Sequence, residues 1–243
     1  MAAASRNYRR IYVIGDIHGR SDLLDDMARL IRDDLAGSGD GCLTVTLGDY
    51  IDRGPDSRGV LERLVRNPFP TPYVGLKGNH EDLFLSFLVD PAIGPHLRQL
   101  GGLETLASYR IPVGPLRKAT GADLEQGYQI ISKALPKAIP REHVEFLLDL
   151  KSSLTLDKYF LCHAGIRPGV PFDQQRDEDL FWIRHEFLDS TADHGKIVIH
   201  GHTPVDEPEV RPNRINLDTG AFATGRLTCL VIEGENRRFL STK

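Results

Sequence analysis

The sequence has few cysteines and lacks any long apolar run. Three cysteines in 243 residues are too few for a disulfide-stapled fold, and Cys42, Cys162 and Cys229 each lie in an apolar stretch typical of a buried strand. A transmembrane helix needs about 18 consecutive apolar residues, and a secretory signal needs a shorter apolar core near the N-terminus. Neither is present. We therefore expect buried free thiols, a cytoplasmic location and no membrane contact.

An excess of positive charge is also missing. Lysine and arginine number 30 and aspartate and glutamate 34, which gives a formal net charge of −4. Proteins that bind nucleic acid through its phosphates usually carry a basic patch, so we expect no nucleic-acid footprint. The length allows one large α/β domain or two small ones.

The apolar runs predict an α/β fold. Runs at 10–14, 43–47 and 72–76 alternate with helical patterns, which predicts a β-α-β-α-β unit with parallel strands. Helical periodicity covers about 92–150, and strand-like runs return at 158–162, 196–200, 214–217 and 227–232. The turn EGEN within the last part favours a more antiparallel second sheet. We predict a single domain over residues 1–243, with a helical insertion at about 92–150.

Polar side chains with oxygen or nitrogen donors follow five of these apolar runs. They are Asp16 and His18, then Asp49, Asp52 and Arg53, then Asn79 and His80, then His163, and finally His200 and His202. If the strands lie side by side, their ends meet at one rim of the sheets, where ligand-binding groups of α/β proteins collect. Carboxylate, amide and imidazole donors gathered at one point are typical ligands of divalent transition-metal ions. So many donors make two metal ions more plausible than one.

The segment CHAGIR offers a different chemistry, that of a cysteine nucleophile with a phosphate-binding arginine. Cysteine-dependent phosphatases place five residues between the two side chains, whereas four separate Cys162 from Arg167. A reactive thiol also needs an exposed, electropositive setting, which an apolar strand does not provide. We therefore expect Cys162 to be structural.

The ordered motifs GDIHG, GDYIDRG, GNHE, HAG and GHTP resemble those of the phosphoprotein phosphatase (PPP) family of calcineurin-like metallophosphoesterases. The segments DLFWIRHEF and NLDTGA are similar to the bacterial and phage branch of that family. The resemblance runs from residue 11 to about residue 232. It implies an αββα sandwich, in which two mixed sheets are flanked by helices.

The resemblance also implies a set of metal ligands. Asp16 and His18 would bind the first ion, Asp49 would bridge both ions, and Asn79, His163 and His202 would complete the second. His202 is preferred to His200 because the family ligand precedes Thr-Pro. The ions are expected to be Mn²⁺, with Fe, Zn or Co also compatible with these donors.

The remaining site residues follow from the same resemblance. A hydroxide bridging the two ions would attack phosphorus directly, and His80, oriented by Asp52, would protonate the leaving oxygen. Arg53 and Arg184 would bind the phosphate through planar paired donors. Four other histidines, in helical or loop context, are expected to face solvent: His96, His143, His185 and His194.

The expected function is hydrolysis of phosphoserine and phosphothreonine in proteins or phosphopeptides. One alternative is a dinucleoside-tetraphosphate hydrolase, although relatives of that type usually carry glutamine in place of His18. Another is a catalytically silent metal-binding or scaffolding module, against which the presence of His80, Asp52 and Arg53 argues. The chain lacks the longer C-terminal elements of eukaryotic relatives, so no regulatory subunit is predicted, and the loops of the insertion are expected to select substrates.

Overall fold

A computed structural model describes residues 8–35, 37 and 39–243, and within them two five-stranded sheets are stacked face to face. The first sheet has the order β10-β9-β1-β2-β3, and the second has the order β4-β5-β6-β8-β7. The strands are β1 (Arg10–Ile14), β2 (Cys42–Thr46), β3 (Tyr73–Gly75), β4 (Ser153–Leu156), β5 (Tyr159–Cys162), β6 (Ile197–His200), β7 (Glu209–Val210), β8 (Arg214–Asn216), β9 (Thr228–Glu233) and β10 (Asn236–Ser241).

Helices cover the outer faces of both sheets. They are α1 (Ser21–Leu35), α2 (Ser57–Val65), α3 (Asn79–Val89), α4 (Gly94–Gln99), α5 (Gly102–Ser108), α6 (Gly114–Lys118), α7 (Gly121–Ala138), α8 (Arg141–Asp149), α9 (Asp177–Trp182), α10 (His185–Leu188) and α11 (Ala221–Thr224), with short 3₁₀ turns at Pro91–Ile93 and Phe172–Gln174. Within the described part of the chain, every helix is too short or too polar to cross a bilayer.

Both sheets are mixed, which confirms the predicted fold class. In the first sheet β1, β2 and β3 are parallel, as expected, while β9 is antiparallel to β1 and β10 to β9. In the second sheet β5, β6 and β8 are parallel, and the edge strands β4 and β7 are antiparallel. The expectation that the second sheet is the more antiparallel one is wrong, because each sheet has two parallel and two antiparallel strand pairs, and the EGEN turn connects β9 and β10 of the first sheet.

The alternation of side chains along the strands divides the apolar core into layers. In β1, Ile11 and Val13 point into the layer between the sheets, whereas Tyr12 and Ile14 point outward against the helices. A third cluster, around Phe160, covers the outer face of the second sheet. Because apolar residues face both ways, the strands read as continuous apolar runs, as expected for buried parallel strands.

The helical insertion, defined here as residues 91–149, packs on the outer face of the first sheet. Its buried side chains belong to the same apolar cluster as those of β1, α1 and α2. The expectation that His143 faces solvent is wrong, since its side chain is fully buried and its Nδ1 lies 2.7 Å from the Tyr109 hydroxyl. The insertion is therefore continuous with the core beneath the first sheet.

The three cysteines are buried and free of disulfides. Burial raises the pKa of the Cys162 thiol, which donates a hydrogen bond to the Gly165 carbonyl at 3.2 Å. A buried, protonated thiol is a poor nucleophile, so Cys162 has the structural role expected from its sequence context.

Candidate metal centre

The polar clusters all follow strands whose C-terminal ends meet at one rim. Three of these strands, β1, β2 and β3, are parallel in the first sheet, and β5 and β6 are parallel in the second. Several of these residues have a positive φ, a backbone conformation that non-glycine residues seldom adopt. The values are 45° at His18, 51° at Asp49, 69° at Asp52, 65° at Arg53 and 68° at His202. Such conformations persist where the surroundings hold them, and they concentrate at functional sites.

Asp49 lies at the middle of the site, where two groups of possible metal ligands overlap: one contains His18 and His80, and the other contains His163 and His202. Its Oδ2 is 3.4 Å from His18 Nε2 and 3.7 Å from His80 Nε2, and its Oδ1 is 3.3 Å from His163 Nε2. Burial opposes ionisation, but the neighbouring histidines hold the pKa of Asp49 well below its usual value. The two carboxylate oxygens thus face opposite sides of the site.

One side of the site is formed by three side chains in mutual contact. Asn79 Oδ1 is 2.9 Å from both His163 Nε2 and His202 Nδ1, and these two nitrogens are 3.2 Å apart. Although burial opposes it, the Asp49 carboxylate raises the pKa of His163 to about 9. His163 Nε2 therefore lies within 3.3 Å of three atoms that can coordinate a cation: Asn79 Oδ1, His202 Nδ1 and Asp49 Oδ1.

The other side of the site contains Asp16 and His18, and both are almost completely buried. Asp16 Oδ2 accepts a hydrogen bond from the backbone N–H of His202 at 3.0 Å. Within the described residues, Asp16 Oδ1 and His18 Nε2 have no hydrogen-bond partner although both atoms are buried. Buried polar atoms without partners are costly unless another group satisfies them, so these residues fit a bound cation.

The tautomers of two histidines are fixed by backbone carbonyls. His18 Nδ1 lies 2.9 Å from the Ile51 oxygen, and His163 Nδ1 lies 3.0 Å from the Leu47 oxygen. Because a carbonyl oxygen only accepts, Nδ1 must carry the hydrogen in both rings. This leaves Nε2 as the coordinating atom, an arrangement common in metal sites.

His80 lies beside this centre and is paired with Asp52. Its Nδ1–H donates to Asp52 Oδ2 at 2.7 Å, and both side chains are fully buried. Arg53 Nη2 is 3.2 Å from His80 Nε2, and the guanidinium lies over the Phe222 ring at 5.1 Å from its centroid. An imidazole, a carboxylate and a guanidinium are thus held together next to Asp49.

Arg184 and His200 lie outside both ligand groups. Arg184 is exposed, and its guanidinium donates to Thr203 Oγ1 at 3.4 Å, next to His202. His200 is buried, donates from Nδ1 to the Gly201 oxygen at 3.1 Å, and packs edge-on against Phe187. Arg184 is therefore at the rim of the site, and His200 faces away from it.

Sequence reasoning assigned no role to Glu81, which holds the Asp49 loop in place. Its Oε1 accepts the backbone N–H groups of Tyr50 and Ile51, and its Oε2 accepts those of Asp49 and Gly78. Burial, reinforced by Asp49, raises the pKa of Glu81 to about 7. The signal was present, because Glu81 occupies the third position of α3, where acidic side chains commonly bond backbone N–H groups.

Glu81→Gln is expected to destabilise the protein and weaken metal binding. The new amide group would face two buried N–H donors in place of a carboxylate oxygen, and each unsatisfied donor costs about 1–3 kcal/mol. Urea unfolding of the metal-free protein measures the loss, which should be about 2 kcal/mol or more. The exposed Glu145→Gln, which breaks only an ion pair with Arg141, serves as the control. Equal stability of the two variants would contradict the role of Glu81.

Asp218 is a second buried carboxylate that sequence reasoning left without a role. It follows β8, so the pattern of an apolar strand and a polar residue could have identified it. Its Oδ1 accepts the Gly220 N–H at 2.9 Å, and its Oδ2 is buried with no partner among the described residues. Burial and the charge of Asp218 raise the pKa of Asp16 well above its usual value. Two adjacent carboxylates add negative charge that would favour cation binding.

The chain is similar to a known protein family over most of its length. The sequence model of the calcineurin-like phosphoesterase family matches residues 9–226. The serine/threonine-protein phosphatase 1 of Salmonella typhimurium is 28% identical over 237 residues, which are 94% of this chain and 94% of that protein. A bis(5'-nucleosyl)-tetraphosphatase of Bacillus cereus is 29% identical over 242 residues, which are 90% of this chain and 88% of that protein.

Solved structures share the fold at lower sequence identity. A crystal structure described as that of a candidate diadenosine tetraphosphatase superposes with a TM-score of 0.66 at 20% identity, covering 98% of this chain and 96% of that one. The cold-active protein-tyrosine phosphatase of a psychrophilic Shewanella gives a TM-score of 0.59 at 16% identity, covering 97% and 81%. At these identities the structures support the fold alone.

Proposed function

The chain belongs to the calcineurin-like phosphoesterase family, and from this premise we propose that it hydrolyses phosphomonoesters, with phosphoserine and phosphothreonine of proteins as its substrates. The observation that carries the proposal is the pair of ligand groups that share Asp49, one with His18 and His80 and the other with His163 and His202. Asp52 is bonded to His80 within the first group, and Arg53 lies next to it. Metal ligands alone would suit a silent binding module. A buried imidazole–carboxylate pair and an arginine next to them are the groups that phosphate-ester hydrolysis needs.

In this proposal six residues hold two divalent ions, with Mn²⁺ as the preferred metal. They are Asp16, His18, Asp49, Asn79, His163 and His202. Ions bound there would acidify a water molecule and offset negative charge on the phosphoryl group. Among the six ligands only Asp16 and Asp49 carry charge, because Asn79 is neutral and histidines bind metal ions as neutral imidazoles. Even with the adjacent Asp218 carboxylate counted as a third negative charge, two divalent ions would leave a positive surplus that attracts a phosphate dianion.

The other residues would act on the substrate. His80 would donate a proton to the leaving oxygen, and Asp52 would keep its Nδ1 occupied so that Nε2 faces the reaction. Arg53 is held in position to bind phosphate. Its guanidinium packs over the Phe222 ring, and its Nη2 lies 3.2 Å from His80 Nε2. Arg184 would bind the phosphate from the rim, where it is exposed and donates to Thr203 Oγ1 at 3.4 Å.

A second candidate is hydrolysis of dinucleoside polyphosphates. It is favoured by the Bacillus cereus relative, which is 29% identical to this chain, against 28% for the Salmonella protein phosphatase. His18 favours the protein phosphatase, since the tetraphosphate hydrolases usually have glutamine at that position. Both reactions would use the same ligands, and they differ in what lies beyond the phosphate.

A side-by-side assay separates the two candidates. Hydrolysis of a phosphothreonine peptide, diadenosine tetraphosphate and bis(p-nitrophenyl) phosphate is measured with Mn²⁺ and with a chelator. We expect the highest kcat/KM on the peptide, little activity on the diester and none with chelator. A higher kcat/KM on diadenosine tetraphosphate would replace the proposal by the second candidate. If none of the three substrates is hydrolysed in a metal-dependent way, the chain is instead a catalytically silent metal-binding module.

The proposal includes one domain over residues 1–243 and a cytoplasmic location. The single domain is supported by the apolar cluster that the helical insertion shares with β1, α1 and α2. The location rests on sequence composition alone.

A further inference from the structure

The helical insertion contacts the residues proposed for proton donation through one buried side chain, Thr105 of α5. Its hydroxyl oxygen lies 2.5 Å from Asp52 Oδ1, 2.8 Å from the Asp52 backbone nitrogen and 2.9 Å from Ser57 Oγ. All three side chains are completely buried. Fifty-three positions separate Thr105 from Asp52 in the sequence.

The direction of each hydrogen bond follows from the groups involved. An ionised carboxylate only accepts, so the single hydroxyl hydrogen of Thr105 points to Asp52 Oδ1. The Ser57 hydroxyl then donates to Thr105 Oγ1, and the Asp52 N–H is shared between Thr105 Oγ1 and Ser57 Oγ, at 2.8 and 3.0 Å. With Oδ1 occupied in this way, Oδ2 is the oxygen that receives the Nδ1–H of His80 at 2.7 Å.

The insertion also holds the backbone that carries this pair. Asp52 and Arg53 have φ values of 69° and 65°, which non-glycine residues rarely adopt. Thr105 Oγ1 accepts the N–H of Asp52, and the Gly101 carbonyl, at the start of α5, accepts the N–H of Arg53 at 3.1 Å. Two consecutive strained residues are therefore tied to one helix of the insertion, as strained functional loops require.

From these contacts we infer that Thr105 is a positioning residue for the proton donor: it fixes Asp52, and through Asp52 it fixes the ring of His80. The inference deepens the proposed function and rests on it. It also gives the helical insertion a role besides substrate selection, because a movement of α5 would be transmitted directly to Asp52 and Arg53.

The test compares Thr105→Val, which keeps the shape and removes the hydroxyl, with Thr105→Ser, which restores the hydroxyl. Substrates are phenyl phosphate, whose leaving group needs a proton, and p-nitrophenyl phosphate, whose leaving group needs little. Because a hydrogen bond to a charged group is lost, we expect kcat on phenyl phosphate to fall about tenfold or more in Thr105→Val. On p-nitrophenyl phosphate the loss should stay below about threefold, and Thr105→Ser should recover most activity.

Two further variants separate positioning from general damage. Thr71→Val removes another buried threonine hydroxyl, which lies outside the site and is 2.6 Å from the Thr44 hydroxyl. It should leave the ratio of the kcat values on the two substrates unchanged. Ser57→Ala removes one donor to Thr105 and the second acceptor of the Asp52 N–H, and it should change the ratio in the same direction as Thr105→Val, but less. If Thr105→Val does not fold, the substrate ratio of Ser57→Ala tests the positioning role in its place.

A readout independent of activity is the Nδ1 proton of His80 in the metal-free protein, observed by NMR with ¹⁵N-labelled histidine. Thr105→Val should shift this resonance or lose it to exchange with water, whereas Thr105→Ser and Thr71→Val should keep it. An unchanged resonance together with an unchanged substrate ratio in Thr105→Val would overturn the inference. Failure of the proposed function shows separately, as aryl phosphate hydrolysis without any hydrolysis of the phosphothreonine peptide.

Discussion

Asp49→Asn is expected to abolish metal-dependent hydrolysis, because one side chain serves both ligand groups. Its two oxygens face His18 on one side and His163 on the other, at 3.4 and 3.3 Å. An amide offers one oxygen and an NH₂ group that cannot coordinate a cation, and it removes one of the two ligand charges. Replacing even an outer partner of a metal ligand costs about 10–100-fold in metal affinity, so a shared ligand should cost more than about 100-fold.

Metal content after dialysis and the Mn²⁺ dependence of p-nitrophenyl phosphate hydrolysis measure this loss. Asp34→Asn is the matched control, since Asp34 is a largely buried carboxylate paired with Arg10 and Arg238 near the opposite end of β1. It should change stability and leave metal binding intact. Full activity in Asp49→Asn with two ions still bound would refute the bridging assignment.

Much of the site could be predicted because it follows a local rule repeated along the chain. Each cluster, such as Asp16 and His18 after β1, is an apolar run that ends in polar residues, and parallel strands bring such ends to one rim. The motifs could therefore be found one at a time. The assumption needed was that the strands are neighbours, which their alternation with helices indicated for the first sheet.

Thr105 and His143 could not be found in this way, because their partners are distant in the sequence. Thr105 lies in an ordinary helical segment, and only the packing of α5 against the Asp52 loop gives its hydroxyl a role. His143 looked like a surface histidine for the same reason, and its burial depends on the contact with Tyr109. Tertiary contacts of this kind leave no periodic signal.

The edge strands β4, β7 and β10 were not predicted, because they are too short or too polar to form a recognisable apolar run. β10 is mostly exposed and reads as polar, β7 has two residues, and β4 lacks a buried residue to mark an apolar face. The EGEN turn was identified, but a hairpin turn does not specify which sheet its strands join. Only the pairing of β9 with β1 places this hairpin in the first sheet.

His80→Asn is expected to reduce hydrolysis strongly for poor leaving groups and weakly for good ones. General acid catalysis contributes about 10²–10⁴-fold where the leaving oxygen must be protonated, as in a phosphothreonine peptide. For p-nitrophenyl phosphate the leaving group is stable as an anion, so the loss should be smaller. The two kcat values, measured at saturating Mn²⁺ on wild type and variant, give the comparison.

His143→Asn is the control for this prediction, because His143 is as completely buried as His80 but bonds to Tyr109 outside the site. Its effect should be on thermal stability, with the ratio of the two kcat values unchanged. Equal losses on both substrates in His80→Asn would argue that the imidazole supports the metal centre through its neighbour Asp49 and does not act on the leaving group. A selective loss, with KM little changed, would instead mean that the Asp52–His80 pair delivers the proton while Arg53 continues to bind the phosphate.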